Sequence, residues 1–213
     1  MKKSVRTRDR ILSEGLALAS KEGLDGVTLG VLADRVGMSK SGLFAHFDDK
    51  DQVQIGVLEE MTRVGGRTFV EPAMRAVEGA PRLRALIERW FGWSGRAGLP
   101  GGCPVAAGMF EYDDAPGPVR DKIAAMEEEW RGLLTGLVAD AVRCGDFRKS
   151  LDVAQFVWEL CGIYLSHHTA SRFLKQRDAD KRAKTAVDAL FARATATDTK
   201  KRGGPSIRRA VSK

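Results

Sequence analysis

Residues 28–50 read TLGVLADRVGMSKSGLFAHFDDK, and the fold follows from how that stretch must turn. Thr28 is a natural N-cap for a helix running to about Val36. Gly37 then sits where the chain must take the left-handed conformation that ends a helix, which glycine adopts without steric cost. Ser39 caps a second helix over roughly Lys40 to Phe47. Leu32, Val36, Met38, Leu43 and Phe47 supply inward apolar groups, and Ala33 is small enough for the two helices to cross closely. Two short helices joined by such a turn form a helix-turn-helix, whose second helix is shaped to enter a DNA major groove.

The outward residues of the second helix suit that task. Lys40, Ser41, Gly42, Phe44 and Ala45 offer a cation, a hydroxyl and small groups that let backbone approach a duplex. His46 and Lys50 follow at the far end, placed to hold phosphates, and the capping hydroxyls of Thr28 and Ser39 lie at the same surface. Helical hairpins with an Ala-x3-Gly turn also occur in proteins that bind nothing, so the spacing alone leaves both readings open.

The segment Thr7 to Val57 resembles the DNA-binding region of the TetR family of bacterial transcriptional regulators. The resemblance rests on RILSEGLALASKEG (Arg10 to Gly23), Thr28, Ala33, Gly37-Met38-Ser39-Lys40, Leu43-Phe44-Ala45-His46-Phe47 and Lys50. The family's usual run is close to T-x4-A-x3-GVSKGTLYHHF-x2-K. This chain departs from it at Met38, Ser41, Gly42 and Ala45, and has Phe44 where Tyr is usual, which leaves that ring without a hydroxyl for phosphate. The resemblance implies a homodimeric regulator, most often a repressor, that binds a double-stranded, palindromic operator and answers to a small effector.

Around the motif the chain reads as all-α, with about nine helices and no convincing strand period. Three domains of sequence follow: a helix-turn-helix domain over 1–50, an effector-binding and dimerisation domain over 51–197, and a basic, unstructured tail over 198–213. Residues 1–6 are expected to fray before a first helix capped by Thr7. A helix from Lys50 or Asp51 should bend near Gly65-Gly66 and Pro72. Pro81 opens another, GRAGLPGGCP (Gly95 to Pro104) breaks the chain, and a short helix follows to about Tyr112. Long helices are expected over Pro118 to Arg143, Asp152 to Leu174, and from a cap at Asp178 to about Ala196.

Charge is concentrated at the ends. The net +7 divides into +4 on residues 1–10 and +5 on 198–213, leaving −2 for the 187 residues between. A basic N-terminal arm is consistent with phosphate contact, and the basic tail with DNA contact or with solubility alone. A protein that coats DNA without sequence preference would spread its positive charge, so the near-neutral middle argues against that class. No run of 18 apolar residues is present, no membrane partner is expected, and the chain reads as cytoplasmic, on the nucleoid when bound to DNA. Three cysteines at unrelated spacings give neither a disulfide framework nor a zinc site. His167 and His168, adjacent, cannot share a helix face as two metal ligands. No phosphate loop, nucleophile elbow or triad is found, so no enzyme and no cofactor is expected.

Two groups of large side chains carry the remaining expectations. Trp90, Trp93, Met109, Phe110, Tyr112, Met126, Trp130 and Trp158 either fill a core or line a pocket for a small hydrophobic or aromatic effector, the pocket being what the resemblance implies. Phe156, Val157, Leu160 and Tyr164, with Val187, Leu190 and Phe191, either belong to the core or pack against their symmetry copies as a four-helix bundle, again as the resemblance implies. Cys103 precedes a helix that starts at Pro104. That position would lower its thiol pKa and open an alternative reading, an electrophile or oxidant sensor, against a merely small residue at a tight start.

Overall fold

The computed structural model describes the backbone of residues 2–195 and the side chains of 6–195. The basic tail expected over 198–213 lies outside them. Among the described residues every regular element is helical. The first helix, α1 (Lys2–Glu22), is followed by α2 (Leu29–Val36) and α3 (Lys40–Phe44), which with it form the N-terminal head. A rod then runs from α4 (Lys50–Gly65) through a π-helical turn (Gly66–Val70) into α5 (Glu71–Met74). The body comprises α6 (Ala80–Trp90), the single turn α7 (Trp93–Arg96), α8 (Pro104–Glu111), α9 (Pro118–Arg143), α10 (Val153–His168) and α11 (Ala179–Thr195).

The local reasons for these boundaries are visible in the caps. Thr28 Oγ1 accepts the Val31 N–H at 3.2 Å, Ser39 Oγ the Gly42 N–H at 3.1 Å, and Asp49 Oδ1 the Gln52 N–H at 2.8 Å. Gly37 has φ 65°, and Met38 N–H returns to the Ala33 carbonyl at 2.9 Å, closing α2 in a Schellman turn. Asp152 caps α10 through the Gln155 N–H at 3.0 Å. The α6 start is capped from afar: Asp146, just past α9, accepts the Ala80 N–H at 2.8 Å.

Three boundaries correct the sequence reading. The helix expected from Arg8 begins at Lys2, so the basic arm is the first part of α1 rather than a frayed lead-in. Lys, Val and Arg there are adequate helix formers, and Thr7 does not act as a stop. The reading helix ends at Phe44 instead of Phe47, with Ala45 and His46 in a turn that leaves Phe47 buried. The bend expected at Gly65-Gly66 takes the form of a π-helical turn, so the rod continues with one residue inserted into its hydrogen-bond ladder.

Core residues run continuously from head to body. Ile11 and Leu16 of α1, Leu32, Leu43 and Phe47 of the head, and Val53, Val57 and Leu58 of α4 are all sealed from solvent. The body centres on Phe147, Phe156 and Phe191, whose ring centroids lie 5.4–5.7 Å apart. Burying each such side chain contributes ~1.5–3 kcal/mol, which makes head, rod and body one packed unit.

Candidate DNA-reading head and the cavity behind it

The head exposes what a major-groove reader needs. Ser39, Lys40, Ser41, Phe44 and Ala45 are exposed on one side of α3, while Gly42 and His46 are half-buried at its rim. Phe44 is 50% exposed, a large apolar ring left in water. Thr28 and Ser39 spend their hydroxyls on helix caps, and Ser39 Oγ lies 3.1 Å from Ser41 Oγ. Lys50 is half-buried, its Nζ 2.5 Å from Asp25 Oδ1.

Arg8 and Arg10, on the first helix expected to pack behind the reading pair, reach the head directly. Arg10 Nη2 donates to the Val36 carbonyl at 2.5 Å, satisfying the C-terminal end of α2. Arg8 lies over the Phe47 ring, 4.6 Å from its centroid. A cation at a helix C-terminus is favourable against the dipole.

Behind the head lies a cavity of about 300 Å³ between α4, the π-turn, α6, α7, α8, α9 and α10. Trp90, Trp93, Met109, Met126 and Trp130 line it. Phe69 from the π-turn, Cys103 and Ala106 from the start of α8, and Tyr164 from α10 complete its aromatic side. The rings are interlocked: Trp90 stacks on Tyr164 at 4.0 Å and meets Trp130 edge-on at 4.8 Å.

Three residues expected in the wall are elsewhere. Phe110 is 66% exposed on the outer side of α8, and Trp158 is 67% exposed on α10. Tyr112 sits at the head–body junction near Gln54 and Glu111, where burial first, and then the Glu111 charge, push its phenol up to about 12. Phe110 follows the cavity-facing Met109 by one residue and is turned off that face, and Tyr112 lies past the end of α8.

The proposed interface side chains are also placed differently. Phe156, Val157, Leu160, Tyr164, Val187, Leu190 and Phe191 are all buried within the one chain. Within the one chain they pack between α10, α11 and the rest of the body. Exposed positions include Trp158 and Gly162 on α10, Phe173 after it, and Thr185 and Ala189 on α11.

Cys103 does precede α8, but as a buried cavity-wall residue. Burial outweighs the hydrogen bonds reaching its sulfur and pushes the thiol up, opposite to the expected lowering. Burial likewise raises Cys161, to about 11. His167 Nε2 sits 2.7 Å from Asp180 Oδ1, and no group of metal-ligating side chains occurs among the described residues.

The helix that forms the cavity's near wall is tied to the head at both ends. At its start, Gly102 N–H donates to the Ser20 carbonyl at 2.7 Å and Gly101 N–H to Ser20 Oγ at 3.1 Å. At its finish, Glu111 accepts the N–H groups of Leu24 at 2.9 Å and Asp25 at 2.5 Å. Gln54 of α4 holds the Leu24 carbonyl at 2.6 Å. The turn between α1 and α2 is therefore fixed to α8 and α4 together.

With a three-helix head and a helical body enclosing a cavity in place, the comparisons decide the family. Residues 11–54 match the model for bacterial regulatory proteins of the tetR family, and residues 79–187, half of the chain, match the tetracyclin repressor-like C-terminal domain. The chain belongs to the TetR family. It is 25% identical over 183 residues to the HTH-type transcriptional repressor NicS of Pseudomonas putida, covering 84% of this chain and 85% of that one. A TetR-family regulator from Cytophaga hutchinsonii superposes with a TM-score of 0.82 at 19% identity, over 93% of this chain and 99% of its own. A transcriptional regulator from Saccharomonospora viridis, solved in complex with choline, gives 0.70 at 16% identity over 87% and 96%. As a TetR-family member the chain is a DNA-binding transcriptional regulator, and none of its described helices is long and apolar enough to cross a membrane.

Proposed function

We propose that this TetR-family chain is a homodimeric repressor whose hold on a palindromic operator is set by occupancy of the cavity behind the head. The observation that carries the reading is the position of α8. One helix supplies Cys103, Ala106 and Met109 to the cavity and is hydrogen-bonded to the head through Ser20 and through Leu24 and Asp25. An occupant that moves α8 by a fraction of a residue cannot leave the head where it was. Binding that favours one arrangement of α8 shifts the population of heads whose spacing fits the operator.

A single α3 spans too few base pairs to specify a site, so two copies are needed. The exposed positions Trp158 and Gly162 of α10, with Thr185 and Ala189 of α11, are the surface we assign to the second copy. A tryptophan 67% exposed next to small residues suits close helix packing. Relatives support both halves of the reading: one is a named repressor, and one fold neighbour holds a small ligand. α3 is the DNA reader, with Lys40, Ser41 and Phe44 at the bases and His46 and Lys50 at phosphates.

The decisive experiment selects bound duplexes from a random pool with full-length protein, then measures affinity for the selected site in wild type and in Ala106→Phe. Ala106 is buried in the cavity wall, so the larger ring imitates an occupant. A palindromic site that Ala106→Phe binds at least tenfold more weakly is expected. No enriched sequence, or equal affinity in a folded variant, would sink the reading. Trp158→Glu, followed by sedimentation, is expected to give monomers.

A further inference from the structure

The operator reading above gives Lys50 a phosphate to hold, and the inference drawn here rests on that reading. In the free head the lysine already has a partner. Its Nζ lies 2.5 Å from Asp25 Oδ1, in the turn between α1 and α2. The lysine side chain is 40% exposed and the aspartate 75%, so an anion arriving from solvent meets the pair rather than a sealed core.

Three further carboxylates, Asp48, Asp49 and Asp51, crowd the start of α4. Among the described residues, only Asp25 forms an ion pair with Lys50. Asp49 Oδ1 accepts the Gln52 N–H at 2.8 Å, and Asp48 Oδ2 accepts from Gln52 Nε2 at 2.9 Å. Asp51 follows Lys50 directly in sequence and has no such contact with it.

An exposed ion pair ordinarily loses much of its attraction to the cost of ordering two side chains. Here the backbone does most of that ordering. Glu111 accepts the Asp25 N–H at 2.5 Å and the Leu24 N–H at 2.9 Å, and Gln54 Nε2 donates to the Leu24 carbonyl at 2.6 Å. The short aspartate projects from a turn that these three bonds hold in place. Lys50 opens α4, whose first turn is set by the Asp49 cap. What remains to be ordered is chiefly the lysine chain. A phosphate that takes the ammonium must then displace the carboxylate or share the cation with it, and in both cases two like charges stay close and repel.

We propose that Asp25 is a built-in competitor for the operator phosphate at Lys50, an affinity-setting residue that lowers the hold of the head on DNA without reading a base. A phosphate contact carries no sequence information, so the loss falls equally on the operator and on other duplexes.

The test measures the affinity of full-length protein for the selected operator and for a scrambled duplex. The proteins are wild type, Asp25→Asn, Asp25→Ala and Asp51→Asn, each also made in Lys50→Ala. Both Asp25 substitutions leave the main-chain bonds to Glu111 in place. They are expected to bind both duplexes about fivefold more tightly than wild type, a gain that fades as salt rises. Asp51→Asn removes the same charge beside Lys50 without touching the pair, and its gain should be smaller. In Lys50→Ala the gain from Asp25→Asn should fall to no more than that of Asp51→Asn. Folded Asp25 variants that bind no more tightly than wild type overturn the proposal. So does a gain that Asp51→Asn matches, or one that survives in full in Lys50→Ala. Operator binding unchanged by Lys50→Ala alone also overturns it, since no phosphate is then held there. None of these outcomes touches the operator or the cavity, which stand or fall on duplex selection and on Ala106→Phe.

Discussion

The carboxylate of Glu111, at the end of α8, receives the backbone N–H of Leu24 at 2.9 Å across 87 residues of sequence. With the Asp25 N–H on its other oxygen at 2.5 Å, it acts as an external cap for the turn that leads into α2. Glu111→Ala leaves two backbone donors without their acceptor. A loss of ~1–3 kcal/mol is expected in urea denaturation. Operator affinity should become less sensitive to Ala106→Phe in the double variant, a coupling that a double-mutant cycle reads directly.

Gly101 meets α1 so closely that an added methyl would overlap the Ser20 carbonyl. Gly101→Ala should therefore push the start of α8 off the head and destabilise the protein by at least ~2 kcal/mol. Gly136, within α9 and with open space where a methyl would stand, is the control. Gly136→Ala should stabilise by ~0.5–1 kcal/mol through helix propensity. Thermal unfolding of the pair distinguishes contact from composition.

On the DNA side, Lys40→Ala and Ser41→Ala should change which bases are preferred, at ~1–3 kcal/mol for each lost bidentate or paired contact. Lys50→Ala should weaken all sequences alike and lower the salt slope by about one. The Asp25 partner does not prevent this, since an exposed ion pair is worth only ~0–1 kcal/mol. Operator titrations at several salt concentrations, with matched and scrambled duplexes, separate the two behaviours.

His168 packs against Gly102, and burial, with Arg172 and His167 nearby, holds its imidazole below the ordinary value. On acidification the unfolded chain therefore takes up this proton first, near pH ~6.5. Stability is full above that value and declines as pH falls below it. Wild type should lose thermal midpoint between about pH 7.5 and 5.5 more steeply than His168→Asn. Equal slopes would mean that the imidazole is free to charge in the folded protein.

Local signals in the sequence were enough for the turn of the helix-turn-helix and for most helix starts. Thr28, Gly37 and Ser39 act over three or four residues, and the caps they form are the ones observed. Pro118 and the Cys144-Gly145 turn likewise delimit α9. What escaped was anything decided by rotation or by distance. Apolar spacing identifies an inward face on α10, but it cannot say whether that face meets its own chain or another. Phe156 and Leu160 are sealed inside, and Trp158, assigned to a pocket, is the one left outside. Glu111 gave no signal, because a glutamate ending a short helix reads as solvated until its partners arrive from the turn between α1 and α2. Cys103 was found by position and misjudged by environment: a helix start lowers a thiol pKa only where water or charge can share the thiolate.

The four tryptophans give the protein an optical instrument of its own. Trp90, Trp93 and Trp130 crowd round the cavity, and Trp158 stands exposed on α10, outside its lining. Indoles in water emit to the red of those shielded from it, so two events should be separable by colour in one unlabelled sample. Covering α10 would dim the red edge of the spectrum, and filling the cavity would alter the blue. Replacing Trp158 with phenylalanine isolates the second channel without a dye, and a stopped-flow trace could then time the arrival of a compound against the departure of DNA.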